Sequence, residues 1–234
     1  MWVQLKENFL FVLSCAGIIA ALAVAARIAE HYLPATRRTS KTRWICTVAI
    51  CGAIASVLHI LDFPLLFLAP EFYKLDFSEL PVMLCGFYLG PTSAVACEAV
   101  KIVLKLLLKG TSTAFVGDFA NFAVGCSLVL PAAVVYHTKK SRASALWGLL
   151  TGTVILTVFG SMFNAIYLLP KFSQLFGLPL DAIIGMGSRI NGSITSLQTF
   201  VLLAVAPLNL IKGSAISLLT MLLYKKVARP LFGK

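Results

Sequence analysis

The sequence predicts an all-α integral membrane protein, and three observations carry that reading. Apolar runs recur along the whole chain, charged residues are scarce, and most basic residues bunch beside the apolar runs. Hydrophobic residues fill 59% of the 234 positions and charged ones only 12%, with a mean hydropathy of +0.91. Soluble domains carry about 25% charged residues. The runs are long enough to cross a hydrocarbon core of ~30 Å and too continuous for the alternating strands of a barrel. The polar stretches between them are too short to hold a soluble domain.

The net charge of +11 raises the question of nucleic acid, which position answers. Arg37, Arg38, Lys41 and Arg43 form one basic cluster, Lys139, Lys140 and Arg142 a second, and Lys225, Lys226, Arg229 and Lys234 a third. Eleven of the twenty basic residues thus sit in three short segments. The positive-inside rule accounts for the pattern if all three are cytoplasmic, and no nucleic-acid partner is expected. The six cysteines (Cys15, Cys46, Cys51, Cys85, Cys97, Cys126) lie in apolar stretches with no CxxC, and His31, His59 and His137 are scattered. Neither a disulfide framework nor a metal site is indicated.

Taken in order, the candidate spans fall at roughly 9–33, 44–62, 80–97, 98–110, 118–137, 145–169 and 199–224. Gly90-Pro91 is the only turn signal between Leu80 and Lys109, which favours dividing the third and fourth spans as 80–89 and 92–109. A span that short must be supported by protein or border a polar cavity. With the first span running outside to inside, every basic cluster lands in the cytoplasm, and Lys6, Lys74, Lys109, Lys171 and Arg189 remain outside. The expected topology has an extracellular N-terminus and a cytoplasmic C-terminus. The first span has a rival reading as a signal peptide cleaved near Ala23-Val24-Ala25; it is read here as an uncleaved helix.

Two outer segments, 63–79 and 170–198, are longer than simple turns and rich in aromatic and aliphatic residues. Such loops are commonly lids or binding loops, and both are read as closing over something apolar. Segments resting on the lipid headgroups are the alternative.

The polar residues at membrane depth are the most informative. The segment at 204–213, Ala-Val-Ala-Pro-Leu-Asn-Leu-Ile-Lys-Gly, places Asn209 and Lys212 three apart on one helical face inside an apolar run. Charges there face a partner, a cavity or a ligand. Asn164 sits in the apolar company of Phe163 and Ile166, and a buried amide needs partners for two donors and an acceptor. Asn164, Asn209 and Lys212 together could meet a flat heterocycle with imide-like edges; helix–helix bonding explains the asparagines equally but Lys212 poorly. Glu98 and Lys101 are three apart and can neutralise each other, with Lys105 one turn beyond. Asp118 and Asn121 open the fifth span, where Asp118 could equally be a helix cap. No GxxxxGK[ST], GxSxG or HExxH occurs, so the chain carries no P-loop with which to use ATP and no familiar hydrolase motif.

Five segments in order, Leu75-Asp76-Phe77-Ser78-Glu79-Leu80-Pro81, Gly86-Phe87-Tyr88-Leu89-Gly90-Pro91, Lys101 with Lys109-Gly110, Gly117-Asp118-Phe119-Ala120-Asn121-Phe122, and Asn209-Leu210-Ile211-Lys212-Gly213, resemble the riboflavin-specific S component of energy-coupling factor (ECF) transporters. The resemblance covers about residues 44–226. It implies a six-helix substrate-binding membrane domain at 36–234, preceded by an extra N-terminal transmembrane helix at 1–35 that the family pattern lacks. It further implies riboflavin as transported ligand, no cofactor and no catalysis. The isoalloxazine edge would be met by Asn164, Asn209 and Lys212, and the ligand covered by the loop bearing Glu71, Tyr73, Lys74, Leu75 and Asp76, with Asp118 and Asn121 close by. Phe72, Tyr73, Phe77, Phe119 and Phe122 are the candidates for stacking. Ala49 and Ala53 match the family's AxxxA motif for the transmembrane coupling subunit; two ATP-binding subunits complete the expected importer in a bacterial cytoplasmic membrane. The alternatives are an S component for FMN or another vitamin, and a membrane enzyme using Glu98, Lys101 and Asp118.

Overall fold

The computed structural model describes the backbone of residues 2–33 and 39–232, and the side chains of 13–33, 39–224 and 226. Arg37, Arg38, Lys234, the boundary at residue 35 and the side chains of Lys225 and Arg229 lie outside them. The described residues are almost entirely helical. Five helical segments are long and apolar enough to cross a membrane: α1 (Trp2–Tyr32), α2 (Lys41–Ile60), α5 (Val116–Lys139), α6 (Arg142–Phe163) continued by α7 (Leu169–Phe176), and α9 (Leu197–Phe200) leading into α10 (Ala206–Phe232). The expectation of an all-α membrane protein holds.

Between them stand α3 (Glu79–Leu89) and α4 (Pro91–Lys109). At 1.5 Å per residue, α3 is about 16 Å long, half a bilayer core. It survives because α2, α4, α5 and α10 surround it, burying every one of its residues but Leu80. Gly90 makes the turn between α3 and α4 at φ 123°, a conformation only glycine adopts cheaply. Pro91 then opens α4, where its missing N–H costs nothing. The break read from Gly-Pro in the sequence is where the chain turns.

α6 and α10 each carry one wider, π-helical turn, Asn164–Leu168 and Val201–Val205, and the two turns touch. Such turns displace side chains around the helix and recur at functional sites. The outer segments are more regular than the sequence suggested. Residues 63–79 hold a short antiparallel ribbon, β1 (Phe63–Pro64) on β2 (Lys74–Leu75). Residues 170–198 hold the end of α7 and then α8 (Leu180–Ser188). The two segments pack on each other: Ala69 and Tyr73 share an apolar cluster with Leu169, Ile183, Ile194 and Phe200.

α1 lies against α4 and α5. Ala26, fully buried, joins Val95, Ile102, Phe122 and Cys126, and Glu30 accepts a hydrogen bond from the Thr92 N–H at 3.2 Å.

Candidate ligand-binding site

A cavity of about 340 Å³ opens at one end of the bundle, the end bearing the segments 63–79 and 170–198. α2 and α4 end there, α5 begins, and α6 and α10 carry their asparagines to it. Eight of the sequence candidates line it: Tyr73, Lys74, Asp76, Asp118, Asn121, Asn164, Asn209 and Lys212. Two do not. Glu71 points to the surface, and Leu75 is buried away from the cavity. The second result follows from strand geometry, since successive side chains point to opposite faces and Lys74 takes the cavity side.

The aromatic lining also differs from expectation. Phe72 and Tyr73 line the cavity, together with Phe172 and Phe176 of α7, which the sequence reading did not single out. Phe77 instead packs against the main core and Phe63. Phe119 faces Phe163 and Tyr167, and Phe122 is buried against α1 and α4. The signal for Phe172 and Phe176 was their spacing of four on a short helix, which puts both on one face.

The polar groups divide into the satisfied and the orphaned. Asn164 Nδ2 donates to the Gly160 carbonyl at 2.7 Å, and its Oδ1 accepts from the Tyr73 hydroxyl at 2.7 Å. That bond ties the outer loop to α6. Asn209 Nδ2 is buried without a partner among the described residues. An unmade bond of this kind costs about 1–3 kcal/mol, which a ligand acceptor would remove. Gly160 makes room for this amide: a Cβ there would lie 2.7 Å from Asn209 Nδ2.

Lys212 faces both partners and the cavity. Its ammonium contacts Asp76 Oδ2 at 3.0 Å and Glu79 Oε1 at 3.1 Å. Asp76 also accepts the Ser78 N–H at 2.8 Å and lies 3.5 Å from His59 Nδ1. Burial pushes the Asp76 carboxyl up, but Lys212, His59 and Lys101 outweigh it and hold the group well below the usual carboxylate range. Lys101 bridges Glu79, at 3.3 Å, to Glu98. Three carboxylates and two lysines thus form one buried network joining the outer loop, α3, α4 and α10. The partner of Lys212 lies 136 residues away, so no local spacing could have shown it.

Asp118 is no helix cap. It binds Lys105 at 2.5 Å across the α4–α5 connection, and its Oδ2 has no partner among the described residues. At the mouth, Lys74 and Lys109 share Asp62 at 3.2 and 3.4 Å. Of the three residues of the enzyme alternative, Glu98 and Lys101 are fully buried against each other and do not line the cavity, and only Asp118 does.

Residues 43–224 match the family model described as the substrate-specific component of ECF transporters. The chain is 34% identical over 184 residues to a riboflavin transporter, RibU, of Staphylococcus aureus (strain TCH60), covering 79% of this chain and 89% of that protein. It is 31% identical over 188 residues to the riboflavin transporter FmnP of Bacillus subtilis (strain 168), covering 80% and 93%. A solved S component of a bacterial ECF transporter superposes with a TM-score of 0.64 at 32% identity, covering 82% of this chain and 99% of that one. A transport role rather than catalysis follows, and the chain belongs to the S-component family of ECF transporters.

Proposed function

We propose that the chain binds riboflavin on the extracellular side of a bacterial cytoplasmic membrane and delivers it inward as the substrate-binding subunit of an ATP-driven importer. The observation that carries the reading is the orphaned Asn209 amide beside Asn164 and Lys212 in a cavity walled by Phe72, Tyr73, Phe172 and Phe176. Aromatic walls suit a tricyclic ring, and the amides and ammonium suit the polar edge of its pyrimidine portion. The names of the relatives point to the same ligand. Lys212 keeps one donor free of its two carboxylates, which in turn fix the ammonium in place.

The charge at the mouth favours the vitamin over its phosphate ester. Lys74, Lys105 and Lys109 line the cavity, but each is already paired with Asp62 or Asp118. Lys171 does not line it and donates to Gln174.

Energy must come from partners, since the chain has no nucleotide-binding motif. The proposed partners are two ECF ATP-binding subunits and the ECF transmembrane coupling subunit. Ala49 and Ala53 are exposed on α2, while α1 packs on α4 and α5, so the small-residue face stays open to a coupling helix. The extra helix, residues 1–35, is then an accessory to the binding domain at 36–234.

Riboflavin fluorescence titration of the purified protein tests the reading. Stoichiometric quenching, lost in Lys212→Ala and Asn209→Ala, is the expected result. Untouched fluorescence at micromolar protein would refute the flavin assignment.

A further inference from the structure

α1 creates a second cavity at the opposite end of the bundle. A crevice of about 440 Å³ opens where α1 ends and α2 and α4 begin, lined by Arg27, Glu30, His31, Trp44 and Thr92. Arg27, Glu30 and His31 precede residues 43–224, the part that matches the family, so this crevice is a property of the added helix.

Its charges are unevenly satisfied. Glu30 is engaged by the Thr92 N–H, at the positive end of α4. Arg27 is exposed and forms no ion pair with a carboxylate among the described residues. Lys41 and Arg43, exposed in the first turn of α2 beside Trp44, likewise have none there. Among the described residues Arg27 is therefore the crevice's cation without a carboxylate partner, and Lys41 and Arg43, which flank Trp44 without lining the crevice, add positive charge to this end of the bundle against the single carboxylate of Glu30. Trp44 is half-buried against the main core, and an indole in that position marks the level of the lipid headgroups.

We propose that this crevice binds the phosphate group of an anionic phospholipid. Arg27 is the principal ligand, because a guanidinium fork matches two phosphate oxygens. His31 lies one turn along the same helix face as an additional donor, and Trp44 packs against the glycerol and upper acyl chain. Basic pockets between transmembrane helices at the cytoplasmic surface suit such headgroups, and the volume suits a glycerophosphate. α1 would then be held to the bundle partly through a shared lipid.

The test is native mass spectrometry of the full chain in detergent, titrated separately with phosphatidylglycerol and phosphatidylcholine, alongside thermal unfolding with each lipid or with inorganic phosphate. The wild type is expected to retain one phosphatidylglycerol that Arg27→Gln binds roughly fivefold more weakly. Arg27→Lys should fall between them, and Lys139→Gln, in a different basic cluster, should match the wild type. Riboflavin titration of each variant reports folding independently of the lipid. Equal retention of phosphatidylglycerol by wild type and Arg27→Gln, or equal retention of both lipids by the wild type, overturns the proposal. Stabilisation by inorganic phosphate matching that by phosphatidylglycerol, and lost in Arg27→Gln, overturns the lipid as source and assigns the crevice to a soluble phosphate.

Discussion

Gly160→Ala separates the ligand role of Asn209 from its role in packing. A Cβ at position 160 would sit 2.7 Å from Asn209 Nδ2 and 3.3 Å from its Cγ, with no backbone atom among its nearest neighbours. The amide lies at the end of a flexible side chain and must swing away. Forcing the asparagine off its rotamer costs about 0.5–1.5 kcal/mol. Replacing a mid-helix glycine by alanine returns about 0.5–1 kcal/mol. The two nearly cancel, so thermal stability should change little. Binding should not be spared, because a displaced Nδ2 loses its bond to the ligand, about 1–1.5 kcal/mol or roughly tenfold in affinity. Fluorescence titration and a thermal melt on the same preparation measure both quantities. An unchanged affinity at unchanged stability would refute Asn209 Nδ2 as a ligand donor.

Lys212→Ala should lose riboflavin binding and also destabilise the protein, by about 3–5 kcal/mol, because Lys101 is left as the only lysine of the network facing three buried carboxylates; a thermal melt of the ligand-free variant checks the second effect. Tyr73→Phe should cost about 1–3 kcal/mol by stripping Asn164 Oδ1 of its donor, and should raise proteolytic nicking of the 63–79 loop that the bond secures. Asp76 has a carboxyl pKa lowered in the folded protein, so its contribution is present above the ordinary value of about 3.9 and is lost as pH falls through the lower folded value. Stability should therefore be insensitive to Asp76 from pH 7 to about 5 and decline below about 4, with a shallower decline in Asp76→Asn measured by thermal melts across that range.

Local sequence sufficed wherever a feature obeys local rules. The Gly90-Pro91 break follows from φ restrictions, and the short third span announced its need for surrounding protein by its length alone. The shared face of Asn209 and Lys212 follows from helical periodicity. The pairing of Glu98 with Lys101 follows from their spacing of three. The outer segment 170–198 has no periodic signal and reads as a lid or binding loop, whereas α7 extends α6 through a π-helical turn and supplies Phe172 and Phe176. That turn touches the second π-helical turn ahead of α10, a tertiary contact that local propensity does not record.

What the sequence by itself determined was the solvent and the periodicity: an apolar, helical chain in lipid, basic segments on one side, and a few polar groups too costly to leave unanswered. Only the tertiary structure decided how those groups are answered. Lys212 needs Asp76, 136 residues away, and Asn164 needs Tyr73, 91 residues away, while Asn209 Nδ2 is left without a partner among the described residues. The physical reason is that burial makes every polar group seek a partner, but which partner is in reach depends on how helices distant in sequence pack around α3.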